Sequence, residues 1–213
     1  MAVVAIAGGA ETSAHRLDEY LQAARIAIDP GAAHIELDLT PGTALAEAVI
    51  AGIDRNRDGS LSADEQRTYA SLVLSALQVE VDGKPLRVEP GDFRFPDTEA
   101  MRRGEGTIRL QSAVTLPDLS IGAHQLSFRN RHHPDGSVYL ANALVPGSDR
   151  VAVTAQRRDG DQSELIIDFV MRATPATSTR VWLLSSIAVV AALFALLKRP
   201  SVFPGRSRRT ARP

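Results

Sequence analysis

Residues 20–39 read YLQAARIAIDPGAAHIELDL, and this stretch indicates the class of fold. Apolar side chains occupy alternate positions on both sides of the turn signal Asp29-Pro30-Gly31. Alternation at a period of two is typical of strands with one buried face, and a Pro-Gly pair favours a turn. The segment therefore predicts two antiparallel strands joined by a short turn. The side chains predicted to face the core are Tyr20, Ala24, Ile26, Ile28, Ile35, Leu37 and Leu39.

The same alternation continues between residues 78 and 171, where Asp82-Gly83 and Asp159-Gly160 are further turn signals. An Asp-Gly pair between alternating apolar runs is a strong indication of a short hairpin. About eight short strands at this spacing predict a mainly β fold, an antiparallel β-sandwich of the immunoglobulin-like kind. Its first strands would lie in residues 15–42 and the remainder in residues 79–172.

Between these two parts lies a twelve-residue segment that runs from Asp54 to Glu65 and reads DRNRDGSLSADE. It matches the pattern D-x-[DN]-x-[DN]-G-x5-E, in which alternate positions supply oxygen ligands to a hard cation such as Ca2+. Gly59 stands where such a loop turns sharply. The predicted ligands are Asp54, Asn56, Asp58 and Glu65 through side-chain oxygens, Ser60 through its backbone carbonyl, and Ser62 through a water.

Residues 43–78 as a whole resemble the EF-hand, a Ca2+ loop between two helices. An entering helix is indicated by apolar residues at four-residue intervals, with Thr43 available as an N-cap, and an exiting helix by the i, i+3, i+4 pattern that follows the loop. Ser62 and Glu65 also form a capping box, which would stabilise a helix start without any metal. The chain has no second such loop. The apolar residues predicted to pack are Leu45, Val49, Ile53, Leu61, Tyr69, Leu72, Val73, Ala76 and Leu77.

The chain of 213 residues has no cysteine and a net charge of −1, so it can form neither disulfides nor thiolate metal sites. Its charges are divided unevenly, because residues 198–213 hold six basic and no acidic residues, which leaves 18 basic and 25 acidic residues elsewhere. An acidic body with a basic tail argues against nucleic-acid binding, which would require a basic patch on the folded domain.

A segment of 17 uncharged residues, Val181–Leu197, precedes the basic tail. At about 1.5 Å per residue it would extend about 25 Å, near the short limit for a spanning helix. We predict a linker at 173–180, a single transmembrane helix at 181–197 and a cytoplasmic tail at 198–213, because positive charge favours the cytoplasmic side. The domain before the linker would then be extracytoplasmic, in the periplasm of a bacterial envelope, with the lipid bilayer as a partner.

The N-terminal residues 1–14 agree with export, because a short apolar run precedes Thr12-Ser13-Ala14, which resembles a signal-peptidase site. The positively charged start of a signal peptide is missing. Two interpretations remain open: the true start lies upstream, or the segment is uncleaved. Cleavage after Ala14 would leave His15 as the first residue.

Three further segments, HRLDEYLQA (15–23), LSFRN (126–130) and SVYLANALVP (137–146), resemble the extracytoplasmic N-terminal region of bacterial membrane proteins related to the HupE/UreJ accessory permeases. That resemblance implies a role beside nickel or cobalt transport, although one spanning segment is fewer than a permease needs. It leads to an alternative function, an accessory domain in which His15 binds Cu2+ or Ni2+ together with His132 or His133. Simpler interpretations place His132 and His133 in a polar turn.

No enzyme signature is present: the sequence has no G-x-S-x-G, phosphate-binding glycine loop or H-E-x-x-H motif. We therefore predict a non-enzymatic, membrane-anchored calcium-binding protein that serves as an interaction module, with an envelope or membrane protein as its partner. A third interpretation is a structural anchor whose loop stays empty. Of the other histidines, His34 is predicted on the solvent face of its strand, and His124 as a hydrogen-bonded histidine at a sheet end.

Overall fold

The computed structural model describes residues 18–173, which form ten strands and three helices. The expectation of a mainly β fold is confirmed. The predicted signal-like segment, spanning segment and basic tail lie outside the described residues. The strands are β1 (Tyr20–Asp29), β2 (Ala32–Pro41), β3 (Leu77–Val81), β4 (Lys84–Leu86), β5 (Val88–Arg94), β6 (Ile108–Thr115), β7 (Gly122–Asn130), β8 (Ser137–Ala143), β9 (Val151–Arg158) and β10 (Glu164–Met171). The helices are α1 (Ala46–Ile53), α2 (Ala63–Ser75) and α3 (Thr98–Arg102).

The strands form two five-stranded sheets, one in the order β5-β6-β2-β1-β8 and the other in the order β4-β3-β7-β10-β9. Neighbouring strands are antiparallel with one exception, since β8 runs parallel to β1 with Ser137 opposite Tyr20. The expectation of wholly antiparallel sheets is wrong at this pair. Alternation of apolar residues reports which face of a strand is buried, but it carries no information on strand direction.

A continuous hydrophobic core contains residues from both sheets. All seven side chains that the first strand pair was predicted to bury are buried, and β1 alternates along its whole length between buried and partly exposed positions. Phe128 of β7 and Phe169 of β10 contribute fully buried rings. Burial of apolar surface in this shared core therefore stabilises the domain.

The turn at Asp82 and Gly83 has the geometry that its sequence predicts. Both residues have positive φ, 51° and 75°, and Val81 pairs with Lys84, as in a two-residue primed turn. The returning strand was expected to include Leu86 and Val88, and this is wrong at Val88. The chain leaves the hairpin after Leu86, and Val88 begins β5 in the other sheet, opposite Val114 of β6.

Strand β5 and helix α3 were missed in the sequence because their local signals conflict. Pro90 and Gly91 interrupt the alternation within β5, and the pairing of β5 with β6 shifts register between Pro90 and Phe93. Gly91 is needed there because a Cβ atom would lie 2.9 Å from the carbonyl oxygen of Gln111. Helix α3 has an N-cap, Asp97, but it is only five residues long and too short to show a helical period.

The domain has two distinct ends. The helical end carries α1, α2 and α3, close to where β2 ends at Pro41 and where β3 begins at Leu77. The C-terminal end comprises turns 29–32, 82–83, 116–121 and 144–150 together with Met171, the last residue of β10. In the described part of the chain, no helix is long and apolar enough to span a bilayer.

Candidate metal centre

Helix α1 leads into the predicted ion loop and is held by its apolar face. Ala46, Val49, Ile50 and Ile53 are buried, and the helix ends where Asp54 becomes its C-cap. Thr43 does not cap it, because the helix begins at Ala46 with Leu45 in the N-cap position and no side-chain hydrogen bond there. The helix is therefore fixed by packing rather than by its cap.

Helix α2 leaves the loop through a complete capping box between Ser62 and Glu65. Its buried face was predicted only in part, since Leu72 is 58% exposed and Leu77 already belongs to β3. Leu72 points about 105° away from the mean direction of the buried side chains, because successive helical residues are rotated by about 100°. The side chains on the buried face are Glu65, Tyr69, Ala70, Val73 and Leu74.

Asp54 organises the first half of the loop. Its Oδ1 accepts a hydrogen bond from the backbone N–H of Asp58 at 3.2 Å, and its Oδ2 accepts one from Gly59 at 2.9 Å. The residue is only 6% exposed. The loop therefore wraps around the carboxylate that the motif places first.

Glu65 closes the loop from the other side. Its Oε1 accepts hydrogen bonds from the backbone N–H of Arg55 at 2.9 Å and of Asn56 at 3.3 Å, while Oε2 accepts from Ser62. Glu65 is 9% exposed. Hydrogen bonds from the Ser62 hydroxyl and backbone lower the pKa of the Glu65 carboxyl below its usual value, so it is ionised at neutral pH. One side chain thus joins the start and the end of the loop.

Asp58 stands at the exposed tip. Its Oδ1 accepts from the backbone N–H of Ser60 at 2.9 Å and from the Ser60 hydroxyl at 2.8 Å, and its Oδ2 accepts from the Asn56 amide at 2.9 Å. These hydrogen bonds, led by those from Ser60, lower the pKa of the Asp58 carboxyl. The tip therefore carries a full negative charge at neutral pH.

The structure brings all the predicted ligand residues into one loop, with Asp54 and Glu65 at its base and Asn56, Asp58 and Ser60 towards its tip. Within residues 18–173 no Lys or Arg forms an ion pair with the three carboxylates. Over the same residues, no three His, Cys, Asp or Glu side chains form a group that could hold a metal as it stands. The loop carboxylates instead accept hydrogen bonds from backbone and side-chain groups of the loop.

These residues suit a hard cation in the chemistry of their donors. Carboxylate, amide and carbonyl oxygens are the ligands that Ca2+ prefers, and no nitrogen or sulfur donor belongs to the set. Asp54, Asn56, Asp58, Ser60 and Glu65 would hold the ion.

Leu61, in the eighth position of the loop, packs against the domain's own core. Its carbonyl oxygen accepts a hydrogen bond from the Gln66 side chain at 2.7 Å. In the EF-hand family an aliphatic residue at this position packs against a second loop. In this chain Leu61 is already in contact with the domain that carries it.

Gly59 in the loop and Gly52 in the preceding helix provide a matched test of the loop's backbone geometry. Gly59 has φ +83°, and Gly52 lies within α1; a Cβ atom would meet nothing within 4 Å at either position. We expect Gly59→Ala to destabilise the domain by about 1 to 2 kcal/mol through its positive φ, and Gly52→Ala to stabilise it by about 0.5 to 1 kcal/mol. Denaturant unfolding without Ca2+ measures both. Equal effects of the two substitutions would contradict this loop conformation.

A network of aromatic side chains connects α2 to the sheets. The Tyr69 hydroxyl lies 2.9 Å from the hydroxyl of the fully buried Tyr20 on β1, and 3.4 Å from Nε2 of His132. The Tyr69 ring also meets the rings of His132 and Phe95 edge to face. Since Glu65 and Tyr69 are four residues apart, they lie on the same side of α2. The residue that closes the loop and the residue that attaches the helix to the core are thus one turn apart.

His132 is expected to make stability depend on pH, because burial and the nearby His133 lower its pKa from 6.5 to about 4. The unfolded chain then takes up this proton at higher pH than the folded chain, so stability is lost as pH falls from 6.5 to about 4. Because His132 keeps some contact with solvent, we expect the free energy of unfolding to fall by about 1 to 2 kcal/mol over this pH range.

Denaturant unfolding at several pH values measures this effect. The fall in the free energy of unfolding at low pH should be smaller in His132→Phe, which keeps a ring between the tyrosines but cannot titrate. Val138→Ala, a non-titrating change at a partly exposed site, should follow the wild type at every pH. An unchanged pH slope in His132→Phe would contradict the assignment.

Beside this network lies a buried polar cluster that joins the three segments with the looser resemblance. Gln22 on β1 donates to the Ser137 hydroxyl and to the His132 carbonyl, and it accepts from Asn130 at 2.8 Å. Gln22 and Asn130 are 1% and 5% exposed. The Tyr139 hydroxyl donates to the same carbonyl of His132. Segments that are far apart in the chain therefore meet at one place.

The histidines of this region already have partners. His132 Nε2 faces Tyr69, and His133 Nδ1 lies 2.7 Å from the Tyr139 hydroxyl with the two rings stacked. His132 was predicted in a polar turn, but its side chain is partly buried. The sequence feature that could have indicated this is Asn130, whose Oδ1 accepts a hydrogen bond from the His132 N–H. His15, the third residue of the predicted transition-metal site, lies outside the described residues.

The remaining two histidines occupy the positions predicted for them. His34 is exposed on β2. His124 lies at a sheet end, with Nδ1 2.7 Å from Asp82 Oδ2 and Nε2 2.8 Å from the Ser120 carbonyl oxygen. The hydrogen bond to Asp82 is the main reason why the pKa of His124 is raised. Both interpretations are confirmed.

Comparison of the chain with models of protein families, with curated proteins and with solved structures gave no match.

Proposed function

We propose that the chain is a membrane-anchored, extracytoplasmic calcium-binding protein, in which Ca2+ orders a helix-loop-helix inserted in a β-sandwich domain. The observation that carries the proposal is the position of two carboxylates at the base of the loop. Asp54 and Glu65 are nearly buried, and they face the loop from its two ends. Hydrogen bonds keep the Glu65 carboxyl ionised, and no Lys or Arg of residues 18–173 forms an ion pair with either carboxylate, so their negative charge remains available to a cation.

A bound Ca2+ would neutralise this negative charge. Asp54, Asn56, Asp58 and Glu65 would hold it through side-chain oxygens, with Ser60 contributing its carbonyl and Ser62 acting through a water. Single loops in extracellular modules bind with dissociation constants of about 10⁻⁴ to 10⁻³ M. Such an affinity suits a site that strengthens a domain in a compartment rich in calcium.

Calcium binding would act on the domain through α2. Glu65 closes the loop at the start of this helix, and Tyr69 attaches the next turn to Tyr20 and His132. An ion that fixes Glu65 would therefore hold the angle between α1 and α2. The exposed Leu72 lies on the outer side of α2, where a protein partner could bind to the ordered helix pair.

The proposed location rests on the sequence that follows the domain. Val181–Leu197 would cross the bilayer, and the basic residues after it would place the tail in the cytoplasm. The looser resemblance to the HupE/UreJ-related proteins agrees with a domain that accompanies a membrane protein. The alternative of Cu2+ or Ni2+ binding has less support, because His132 and His133 already pair with tyrosines.

Thermal unfolding of the intact chain in detergent micelles, with Ca2+, with Mg2+ and with a chelator, tests the proposal. At ten times the dissociation constant, Ca2+ should add about 1.4 kcal/mol of stability. That corresponds to about 3 to 6 °C in Tm for a domain of this size. The double variant Asp54→Asn with Asp58→Asn should lose the shift. If wild type shows none, the loop stays empty; if the double variant shifts equally, the ion binds elsewhere.

A further inference from the structure

Large apolar side chains are exposed at the C-terminal end of the domain. Of the six that the described residues expose, Ile121 (72% exposed), Leu144 (38%) and Val145 (92%) lie in turns at this end. The other three are Leu72 on α2 and Val138 and Leu140 on β8. Half of the exposed large apolar side chains of the described residues therefore lie at the end from which the chain leaves the domain.

The turns that carry these side chains are held close to one another. The Leu116 N–H donates to the Gly31 carbonyl at 2.9 Å, and the Leu144 N–H donates to the Ile26 carbonyl at 2.8 Å. Turns 116–121 and 144–150 are therefore both attached to the β1–β2 hairpin. Their exposed residues belong to one end of the domain rather than to unrelated loops.

The chain also leaves the domain at this end. Met171 pairs with Gly122, the residue after Ile121, and the Arg172 N–H donates to the Arg150 carbonyl at 2.7 Å. Only residues 174–180 separate Ala173 from Val181, the start of the uncharged segment. At about 3.5 Å per residue, a fully extended chain would reach about 28 Å over these eight steps.

The charges of this end favour neither an anionic nor a cationic partner. Its acidic residues are Asp29, Asp82, Asp118 and Asp149, and its basic residues are Lys84, Arg150 and Arg172, with His124 hydrogen-bonded to Asp82. Exposed aliphatic side chains can bury apolar surface at the boundary between lipid head groups and acyl chains, and this burial is the contribution that would hold the end to lipid. A short tether raises the effective concentration of the end at a nearby surface, so that a weak contact suffices.

We infer that the C-terminal end of the domain rests on the outer surface of the bilayer, with Ile121, Leu144 and Val145 in contact with lipid. The inference rests on the proposed function, because it takes residues 181–197 as the membrane anchor. It gives the domain a definite orientation. The ion loop, at the helical end, would then face away from the membrane, towards partners in the surrounding compartment.

The absence of cysteine and the presence of one tryptophan make the inference easy to test. Single cysteines at positions 121, 145 and 72, each labelled with an environment-sensitive fluorophore, would be placed in the intact chain. The labelled chains are reconstituted into vesicles of phosphatidylcholine and phosphatidylglycerol, with and without a nitroxide-bearing lipid as quencher. Position 72, an equally apolar exposed site at the helical end, is the matched control, and the emission of Trp182 reports insertion of the anchor.

We expect the lipid quencher to reduce emission strongly at positions 121 and 145 and to leave position 72 unchanged. If the lipid quencher reduces the emission of Trp182 but not of the labels at 121 and 145, the inference is overturned while the membrane anchor is supported. Labels at 121 and 145 that become shielded without lipid quenching would also overturn it, in favour of a second copy or another protein. Unquenched Trp182 would contradict the anchor itself.

A second variant tests the side chains of Ile121 and Val145 themselves, which the labels at these two positions replace. Ile121→Asp with Val145→Asp changes only exposed side chains, so the domain should fold, and Trp182 should insert as before. With a label at a third position in the same end, Leu144→Cys, lipid quenching should fall relative to the chain that keeps Ile121 and Val145. Equal quenching in both chains would contradict the role of these side chains.

Discussion

Glu65→Gln is expected to weaken Ca2+ binding by at least about tenfold, equivalent to about 1.4 kcal/mol. Glutamate in the last position of the loop can offer two anionic oxygens to the ion, whereas glutamine offers one neutral oxygen. The same substitution keeps the capping box, because glutamine also accepts the N-cap hydrogen bond. The loss can therefore be assigned to the ion rather than to the helix start. Isothermal titration of the intact chain in micelles measures it.

Asp64→Asn is the matched control for this prediction. Asp64 precedes Glu65 in the first turn of α2, but its side chain is 91% exposed and pairs with Arg67 rather than facing the loop. Its neutralisation removes one charge at nearly the same place in the sequence. We expect Ca2+ affinity to stay within about threefold of the wild type, in line with a screened surface charge. Equal losses in the two variants would mean that general charge, not ligation by Glu65, governs binding.

Phe128→Ala is expected to destabilise the domain by about 3 to 5 kcal/mol, whether or not Ca2+ is present. Phe128 is fully buried on β7 and pairs with Val79 of β3 on one side and Leu165 of β10 on the other. Its removal leaves a cavity in the core to which both sheets contribute. Because total stability is about 5 to 15 kcal/mol, this one substitution could unfold a large fraction of the protein.

Denaturant unfolding of the intact chain, followed by far-ultraviolet circular dichroism, measures the effect of Phe128→Ala. Leu72→Ala is the control, because it removes the same kind of surface from an exposed helical position and should change stability by about 0.5 kcal/mol or less. A loss below about 1 kcal/mol for Phe128→Ala would contradict a close-packed core at this position.

The elements predicted best from the sequence are those with signals that are both local and repeated. The β1–β2 pair has ten residues in each strand, and the alternation around Pro30 and Gly31 identifies it fully. The turn at Asp82 and Gly83 was predictable because both positions need positive φ, which these residues tolerate. The ion loop is identified by the spacing of its oxygen-bearing residues, which form hydrogen bonds with one another within the loop.

What the sequence did not reveal depends on contacts between distant segments. The parallel pairing of β8 with β1 places Tyr20 beside Ser137, and nothing in either strand records its direction. Strand β5 is hidden because Pro90 and Gly91 break its alternation where the strand approaches β6 closely. Leu72 is exposed because α2 packs through the face that carries Tyr69, Val73 and Leu74. Helical periodicity alone allows either of two neighbouring faces to be buried.

The polar network around Tyr69 was missed for a related reason. Its members come from a helix, a strand and a loop, namely Tyr69, Tyr20 and His132, so no local pattern connects them. All three tyrosines of the chain lie in or beside this network, since Tyr139 bonds to the His132 carbonyl. Near-ultraviolet circular dichroism of tyrosine would therefore report whether changes at the ion loop reach the sheets.

Calcium binding in the loop is tested most directly by an amide NMR titration of the intact chain in micelles, observed at Gly59. The Gly59 N–H donates to Asp54 Oδ2 at 2.9 Å, so an ion bound to that carboxylate must change its resonance. We predict a saturable shift that reaches its limit with one Ca2+ per chain at millimolar concentration or below, and that is absent in Asp54→Asn. An unmoved Gly59 resonance at millimolar Ca2+ would contradict calcium binding by this loop.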